Sequence, residues 1–564
     1  MLLAASLFFY AYGEPRFVFV LLLSVAVNYA GALAIDHISQ NKKQKNKHDE
    51  TDKQDHPTCN KTDYTACHPT SNKTYHTSCN SPCNPPTEGR HGLSKAPNDA
   101  LRRLVFLSII AADLGLLFLC KYLGFILRLV GCAGLTVSAG RLGSLVLSEI
   151  PLPLGISFFT FQAISYVADV YRGDVKAQKN PFLAALYIMF FPQLIAGPIV
   201  RYRTVEEQLI LNERRHIDID RFGHGAKRFL GGLFKKVLLA NRLSALADAP
   251  FSLASFTLAP PAYLWLSSLA YSLQIFFDFS GYSDMAIGLG EMFGFRFAEN
   301  FDAPYTAANV TDFWRRWHIS LSAFFKDYVY IPLGGSRKGR GAQLRNLFIV
   351  WLLTGIWHGA NTNFVLWGLA YFLVLAVEKL LARPWERGRT FRVFWRVCTL
   401  VFVNMQWVVF HADGVKQVLS YLAAMCGLSS VGAAAGSAGL CAALFGFFGG
   451  SLTGVDAGFD MVLSALRENW AFLLAGIVFC LPLKRLMLKR KSLRIFADTQ
   501  NAAASSTEGA YGGALPPEKM ETAGRPAGEV MRGCLLVGVY GALFLWTISY
   551  LLLGSHNPFI YFHF

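Results

Sequence analysis

Apolar runs of about twenty residues recur along almost the whole chain, and they constrain the fold more than any other feature. A transmembrane helix needs roughly 20 predominantly apolar residues. Runs of this kind cover 16–35, 101–123, 362–381, 391–411 and 532–553. Only 16% of the 564 residues are charged, whereas about 25% is usual in soluble domains. The sequence therefore predicts an all-α polytopic integral membrane protein.

Other apolar runs are shorter or are interrupted by glycine and proline. Examples are 133–150, 346–356 and 182–198, of which the last ends at Gly197-Pro198. Irregular backbone at membrane depth is tolerated only inside the protein or beside a water-filled cavity. We therefore expect some of these runs to be re-entrant or partly buried helices rather than complete spans.

The net charge of +16 comes from basic residues in short polar segments beside apolar runs. This arrangement is typical of cytoplasmic loops in membrane proteins, and it does not favour nucleic-acid binding. We expect a multi-pass protein of the cell (inner or cytoplasmic) membrane. The basic clusters are Lys42 to Lys53, Arg201 to Lys236, Arg315 to Arg345, Arg383 to Arg396 and Lys484 to Arg494.

Changes in composition divide the chain into five parts. N-terminal transmembrane helices are predicted in 1–35, and the main membrane core in 101–494. Between them, 36–100 is a polar insertion with almost no large apolar residue, so we expect it to be disordered and cytoplasmic. A second polar loop is predicted at 495–530, and a C-terminal transmembrane helix with a short tail at 531–564.

The insertion contains a repeat with a period of twelve, since His56–Thr62 recurs as His68–Thr74. It also holds four cysteines and, from His48 to His91, five histidines, which suggests a zinc site as one interpretation. Their spacing does not match paired ligands such as C-x2-C. A tandemly expanded flexible loop is the favoured interpretation, and we predict no metal site.

The stretch Thr354–Gly368 places one histidine, His358, in a run that is otherwise almost uncharged. An ionisable side chain at membrane depth is costly and therefore points to a functional site. The alternative is a structural histidine bonded to a backbone carbonyl. Residues 346–357 predict a helix that Gly359–Asn361 can end, with another helix starting near Val365.

A second histidine lies in the stretch Asp312–Ser322. Trp314, Trp317 and His318 are spaced i, i+3 and i+4, which predicts a shared helix face. Arg315 and Arg316 are expected to point to the cytoplasmic surface. One interpretation is that His318 faces a cavity, and the other is an interfacial belt of Trp and Arg at the headgroup level. The spacing does not decide between the two interpretations.

Two carboxylates, Asp278 and Asp284, lie in the aromatic stretch Gln274–Met285. At membrane depth they must be paired, hydrated or protonated, so they either hold basic side chains or line an ion path. The sequence contains no GxSxG elbow, dinucleotide fingerprint or P-loop. Any chemistry is therefore expected to be acid–base catalysis by histidine, whose ordinary pKa near 6.5 suits a base at neutral pH.

These stretches together resemble the membrane-bound O-acyltransferase (MBOAT) family, and most closely its bacterial alginate O-acetyltransferase branch. Relatives in that branch modify peptidoglycan or add D-alanine to teichoic acids. The matching segments occur in the family's order and are too many and too long for chance. They are Leu152–Gln162, Phe191–Ile199, Gln274–Met285, Phe313–Gly335, Trp357–Gly368 and Pro558–Phe564.

The resemblance implies a ring of tilted transmembrane and re-entrant helices around a central tunnel, with 101–494 as the catalytic core. It implies an enzyme, an O-acyltransferase that takes an acetyl or other short acyl group from a cytoplasmic thioester such as acetyl-CoA. No tightly bound cofactor is implied. The acceptor would be an exported cell-surface polysaccharide, alginate-like or alternatively peptidoglycan or teichoic acid. The implied partners are membrane lipids and a periplasmic or surface acetyltransferase of the SGNH type.

The resemblance also assigns roles to residues. His358 falls on the family's principal histidine and would be the base that acts on the acceptor, whereas His318 would hold the donor side or an intermediate. Arg315 and Arg316 could steer an anionic donor. The residues expected to bind substrate are Trp314, Trp317, Trp357, Asn361, Gln274, Arg315 and Arg316.

The chain departs from the family pattern at several positions. His411-Ala stands where Phe-Arg-Ala is common, and the family usually has a further helix before Leu2, so we expect a shortened start. Two other functions stay open on the residues alone. One is a transporter with Asp278 and Asp284 in an ion path, and the other is a non-catalytic scaffold of an export complex.

Overall fold

Long apolar helices make up most of the structure, a computed structural model that describes residues 1–54, 97–130, 136–138, 144–146, 151–210, 215, 217–381, 388–428, 455–482 and 527–553. The α-helices are α1 (Leu2–Gly13), α2 (Val18–Gln54), α3 (Pro97–Lys121), α4 (Leu123–Leu129), α5 (Ile156–Arg172), α6 (Pro181–Met189), α7 (Phe191–Leu194), α8 (Tyr202–Ile210), α9 (Ile219–Phe234), α10 (Asn241–Asp248), α11 (Pro261–Met292), α12 (Val310–Arg316), α13 (Ile319–Phe325), α14 (Arg340–His358), α15 (Thr362–Leu380), α16 (Arg389–His411), α17 (Val415–Met425), α18 (Val455–Phe479) and α19 (Ala527–Leu552). Short π-helices at Lys235–Ala240 and Lys326–Tyr330 extend α9 and α13. Single 3₁₀ turns lie at Ala249–Ser252, Phe256–Leu258 and Pro304–Thr306.

Six of the described helices are long and apolar enough to cross a membrane. This confirms the prediction of a helical polytopic membrane protein. The six segments are Val18–Asn41, Asp99–Lys121, Thr362–Leu380, Arg389–His411, Gly458–Phe479 and Leu535–Leu552.

The apolar run 133–150 was wrongly predicted to be helical. Its described residues form two short antiparallel strands, β1 (Thr136–Ser138) and β2 (Ser144–Val146), with Val137 opposite Leu145. Glycine is among the poorest helix formers, and this run holds Gly134, Gly140 and Gly143. The described residues of this run therefore form a pair of antiparallel strands rather than a helix.

The boundaries of the polar insertion also differ from the prediction. Helix α2 continues to Gln54 and α3 begins at Pro97, so both ends of 36–100 are helical rather than disordered. Lys, Gln and Glu are good helix formers, and Gln40 donates to Asp36 across one turn at 2.7 Å. The repeat and its cysteines fall in 55–96, outside the described residues, as do most of the 495–530 loop and the segment Pro558–Phe564.

Helix α11 lies at the centre of the core and packs against α9, α10, α16, α17 and α18. Its crossing with α9 depends on facing glycines. A Cβ added at Gly225 would lie 2.5 Å from the Gly288 carbonyl oxygen, and one at Gly288 would lie 2.6 Å from the Gly225 carbonyl oxygen. Gly232 and Gly281 face each other in the same way. Small residues of this kind let membrane helices approach backbone to backbone.

Candidate functional site

His358 ends α14, and Gly359 after it has extended backbone, as the sequence predicted. The side chain is buried, with 7% of its surface exposed. Aromatic rings surround the imidazole, with centroid distances of 4.8 Å to Trp357, 4.9 Å to Trp367 and 5.1 Å to Phe410. The imidazole is therefore held in a largely apolar pocket formed by α14, α15 and α16.

Two glycines keep α14 and α15 close enough to form this pocket. A Cβ added at Gly355 would lie 2.5 Å from the carbonyl oxygen of Phe364. One added at Gly368 would lie 2.5 Å from the carbonyl oxygen of Trp351. The glycines of the Thr354–Gly368 stretch thus explain how the turn after His358 brings Trp367 against it.

His318 lies in the two-residue junction between α12 and α13, and this corrects the prediction of a continuous helix face. Helix α12 ends at Arg316, Trp317 is extended, and His318 has φ 44° and ψ 56°. The left-handed region is unfavourable for a residue with a Cβ, and such residues concentrate at functional sites. Only 1% of His318 is exposed, and its ring lies 4.6 Å from Phe279.

Asn300 fixes the hydrogen-bonding state of His318. Asn300 Oδ1 accepts from the Ser320 N–H at 3.2 Å and from Ser320 Oγ at 2.9 Å, while Ile199 N–H donates to that hydroxyl at 3.0 Å. His318 Nδ1 lies 3.2 Å from the same Asn300 oxygen. A backbone N–H can only donate, so this atom is the amide oxygen and Nδ1 must carry the proton.

The opposite ring nitrogen of His318 then has a free lone pair. Nε2 is buried and makes no hydrogen bond to any residue in the described part of the chain. In this tautomer Nε2 can accept a hydrogen bond or a proton. Asn300 was missed by the sequence analysis, since it stands 18 residues before His318 and outside every motif.

Trp357 brings the two histidines together. Its indole lies 4.8 Å from His358 and 6.3 Å from His318, measured between ring centroids. The other side of the indole stacks on Phe161 at 5.4 Å with an interplanar angle of 17°. Two histidines that are 40 residues apart in the sequence therefore flank one buried side chain.

An apolar cavity of about 800 Å³ adjoins this group. Trp357 and the turn Gly359–Thr362 line one end, so Asn361 lies where a bound substrate could reach it. Phe161, Tyr171, Arg172 and Tyr328 also belong to the lining. The cavity can hold an acyl group or a lipid chain beside Trp357 and Gly359, the two sequence neighbours of His358.

A polar cavity of about 390 Å³ lies against Asn300. It is lined by Ser280 and Ser283 of α11, by Asp284 and Lys235, and by the loop from Glu299 to Ala303. Asn300 Nδ2 donates to Ser283 Oγ at 3.1 Å. The amide of Asn300 thus borders the polar cavity with one end and holds His318 with the other.

The other residues predicted to bind substrate lie outside the linings of these two cavities. Trp314 packs on Trp351 at 4.7 Å and Trp317 on Trp407 at 4.8 Å, so both belong to the aromatic core. Gln274 is buried on α11. A substrate-binding role for these three side chains stays a prediction.

The two arginines predicted to bind the donor, Arg315 and Arg316, differ in exposure and pairing. Arg316 is paired with Asp312 one turn earlier at 3.0 Å, whereas Arg315 is exposed. Both residues lie outside the two cavity linings. The exposure of Arg315 fits the expected position at the surface, whereas Arg316 is half-buried, and the contact of either residue with a donor stays a prediction.

A buried carboxylate that the sequence analysis missed holds the start of α12. Glu378 on α15 accepts from the N–H groups of Val310 at 2.8 Å and Thr311 at 2.9 Å, and from the Thr311 hydroxyl at 2.6 Å. The first N–H groups of a helix lack intrahelical partners, and an anion there is favourable. Glu378 therefore fixes the start of α12, the helix that ends two residues before His318.

The two carboxylates of α11 are ion-paired. Asp278 is buried and paired with Lys236. Asp284 accepts from Lys235 at 2.5 Å and from Arg228 at 3.0 Å. Of the two interpretations of these acids, the structure favours the one in which they hold basic side chains.

Several known proteins resemble this chain. Residues 177–422 match the family model described as MBOAT, the membrane-bound O-acyltransferase family. A Pseudomonas syringae pv. tomato protein named probable alginate O-acetylase AlgI is 44% identical over 312 residues, which are 55% of this chain and 58% of that protein. A Helicobacter pylori peptidoglycan O-acetyltransferase is 39% identical over 306 residues, 50% of this chain and 58% of that protein.

A more distant relative is a Bacillus subtilis teichoic acid D-alanyltransferase, 31% identical over 244 residues, 42% of this chain and 60% of that protein. The chain thus spans a little over half the length of the curated relatives that it matches. The family match covers α6 to most of α17, and it includes His318, His358, Asn300 and Glu378.

Proposed function

We propose that the chain is an O-acyltransferase of the membrane-bound O-acyltransferase family, whose model matches residues 177–422. It moves an acetyl or similar short acyl group from a cytoplasmic thioester to a hydroxyl of an exported cell-surface polysaccharide. The described spans make it a multi-pass membrane protein, and we propose the inner (cytoplasmic) membrane as its location.

One observation carries this proposal: two buried imidazoles contact Trp357, which lines the apolar cavity, and one of them, His318, is held by Asn300, which lines the polar cavity. A sugar hydroxyl is a poor nucleophile until a base takes its proton. General-base catalysis by a positioned histidine typically contributes about 10²–10⁴-fold. The site therefore places a candidate base against a residue that lines space for a substrate.

The proposed reaction is a single acyl transfer. His358 accepts the proton of the acceptor hydroxyl as the hydroxyl oxygen attacks the thioester carbonyl. The carbon–sulfur bond breaks, and the thiolate leaves and receives the proton, so the products are an ester and a free thiol. His318 lies on the donor side, where its Nε2 can accept a hydrogen bond from an N–H or O–H group of the donor.

The names of the relatives support an alginate-like acceptor first, since those at 43–48% identity are named alginate O-acetylases. Peptidoglycan O-acetylation is the alternative supported by the relative at 39% identity, and teichoic acid D-alanylation by the one at 31%. We propose acetyl-CoA or another acyl thioester as the donor. A separate SGNH-type acetyltransferase is the proposed partner outside the membrane.

The proposal is tested by expressing the full chain in a bacterium that secretes alginate and lacks its own O-acetylase. The expected result is that the secreted alginate regains acetyl esters, measured by ¹H NMR of the purified polymer. Acetyl groups on peptidoglycan and D-alanine on teichoic acid are measured in matched hosts deficient in each modification. If none of the three polymers gains acyl groups although the protein is in the membrane, the proposed function is wrong.

Asn300→Ala is expected to lower acyl transfer by about tenfold or more, because His318 loses the acceptor that fixes its tautomer. Ser283→Ala is the matched control, because it removes the partner of Asn300 Nδ2 and leaves the Oδ1 bonds intact. Acetyl content per folded molecule is the measurement. Equal activity of the two variants would contradict the role given to Asn300.

A further inference from the structure

The end of α3 contacts the end of α14 at the residue that carries the candidate base. Lys121, the last residue of α3, donates from Nζ to the carbonyl oxygens of Trp357 at 2.6 Å and His358 at 3.0 Å. The next residue, Tyr122, donates from its hydroxyl to the carbonyl oxygen of Ile356 at 2.8 Å. Two adjacent side chains of one segment therefore satisfy three consecutive carbonyls.

The physical need for these contacts is clear. The last four carbonyls of a helix have no intrahelical partner. Here they lie among aromatic side chains beside an apolar cavity, where an unsatisfied carbonyl is expensive. A basic group is also favourable at a helix C-terminus, where the helix dipole is negative. The amine further lies 6.0 Å from the centroid of the Trp357 indole.

We propose that Lys121, assisted by Tyr122, is a positioning residue that fixes the C-terminal turn of α14 and so holds His358 in its reactive orientation. The same helix end also packs on α15 through Gly355. Lys121 and α15 therefore both contact the C-terminal part of α14. This inference rests on the proposed function, because the orientation matters only if the imidazole acts on a substrate.

The test compares substitutions that remove the hydrogen bonds with one that keeps a donor. Lys121→Met is expected to lower kcat about 100-fold with little change in KM for the acyl donor, since small misplacements of a catalytic group have effects of this size. Lys121→Gln, which keeps N–H donors without the charge, restores most of that loss. Tyr122→Phe lowers kcat roughly threefold to tenfold.

Asp113→Asn supplies the matched control on the same helix. Asp113 is buried, stands two turns before Lys121 and accepts from Asn28 on α2 at 2.8 Å. Asparagine keeps an oxygen that accepts from Asn28 and removes a buried carboxyl, so this variant is expected to keep the wild-type unfolding temperature and its kcat per folded molecule. If the activity of Lys121→Met falls only in proportion to the amount of folded protein, the proposal is wrong. It is also wrong if Lys121→Gln does not restore kcat.

A second measurement does not depend on turnover. The rate at which diethylpyrocarbonate modifies His358, followed by peptide mass spectrometry on the full chain, is expected to rise several-fold in Lys121→Met and not in Asp113→Asn. If the wild-type protein transfers no acyl group, this rate still reports whether Lys121 holds the imidazole. An unchanged rate in Lys121→Met would overturn the inference independently of the proposed function.

Discussion

Replacing His358 with glutamine is expected to reduce polymer acetylation by about 10²–10⁴-fold, the usual contribution of a general base. Glutamine fills much of the aromatic pocket and cannot accept the hydroxyl proton at neutral pH. The protein should therefore reach the membrane in normal amounts and unfold near the wild-type temperature. The measurement is the ester content of the secreted polymer, divided by the amount of folded protein in the membrane.

His411→Gln is the matched control for this substitution. His411 also ends a helix and also packs on aromatic rings, with its imidazole stacked 3.9 Å from Tyr271 and Nε2 3.0 Å from Asp248. Its ring contacts are with Phe251 and Tyr271 rather than with Trp357, which lines the apolar cavity, so acetylation should stay close to the wild-type level. A similar loss of acetylation in both variants would mean that His358 acts through the fold rather than as a base.

The His358→Gln variant also distinguishes the enzyme from a transporter and from a non-catalytic scaffold. Lost polymer or ion transport with normal acetylation would support a transporter, and no change in either would support a scaffold. The transporter interpretation is weakened by the pairing of Asp278 with Lys236 and of Asp284 with Lys235 and Arg228. Breaking a buried ion pair leaves an uncompensated charge, which is strongly destabilising, so these acids are expected to hold helices together.

Gly232→Ala is expected to destabilise the protein by about 1–3 kcal/mol, the range observed for overpacked cores. A Cβ at this position would lie 2.8 Å from the backbone nitrogen of Met285 on α11 and still closer to the Gly281 carbonyl oxygen. Backbone atoms cannot move aside as a flexible side chain can, so α9 and α11 must separate. The measurement is thermal unfolding of the purified protein in detergent, followed by tryptophan fluorescence.

The neighbouring glycine provides an unusually close control. Nothing lies within 4 Å of a Cβ added at Gly231, although it stands on the same helix. Gly231→Ala should therefore be neutral or stabilise the protein by about 0.4–1 kcal/mol, because alanine restricts the unfolded chain. Opposite shifts in unfolding temperature for Gly232→Ala and Gly231→Ala would support the close contact of α9 with α11 at Gly232. Equal shifts would contradict it.

The sequence predicted best where the signal is local. The end of α14 at His358 follows from Gly359 directly after an apolar run. The junction at His318 was predicted as continuous helix, because the spacing of Trp314, Trp317 and His318 also suits a helix face. The left-handed backbone there is held by Asn300, whose carbonyl oxygen accepts from the Ile319 N–H at 3.0 Å.

By itself the sequence determined a helical membrane protein with two histidines in apolar surroundings, because hydrophobic run length and composition are properties of the chain alone. Only the tertiary structure decided what holds those histidines. Lys121 is 237 residues from His358 along the chain, and Glu378 is 67 residues from Thr311. Such partners carry no periodic signal, because a hydrogen bond depends on positions in space. Once helices pack, buried donors and acceptors must be satisfied by whichever side chains the fold brings within reach.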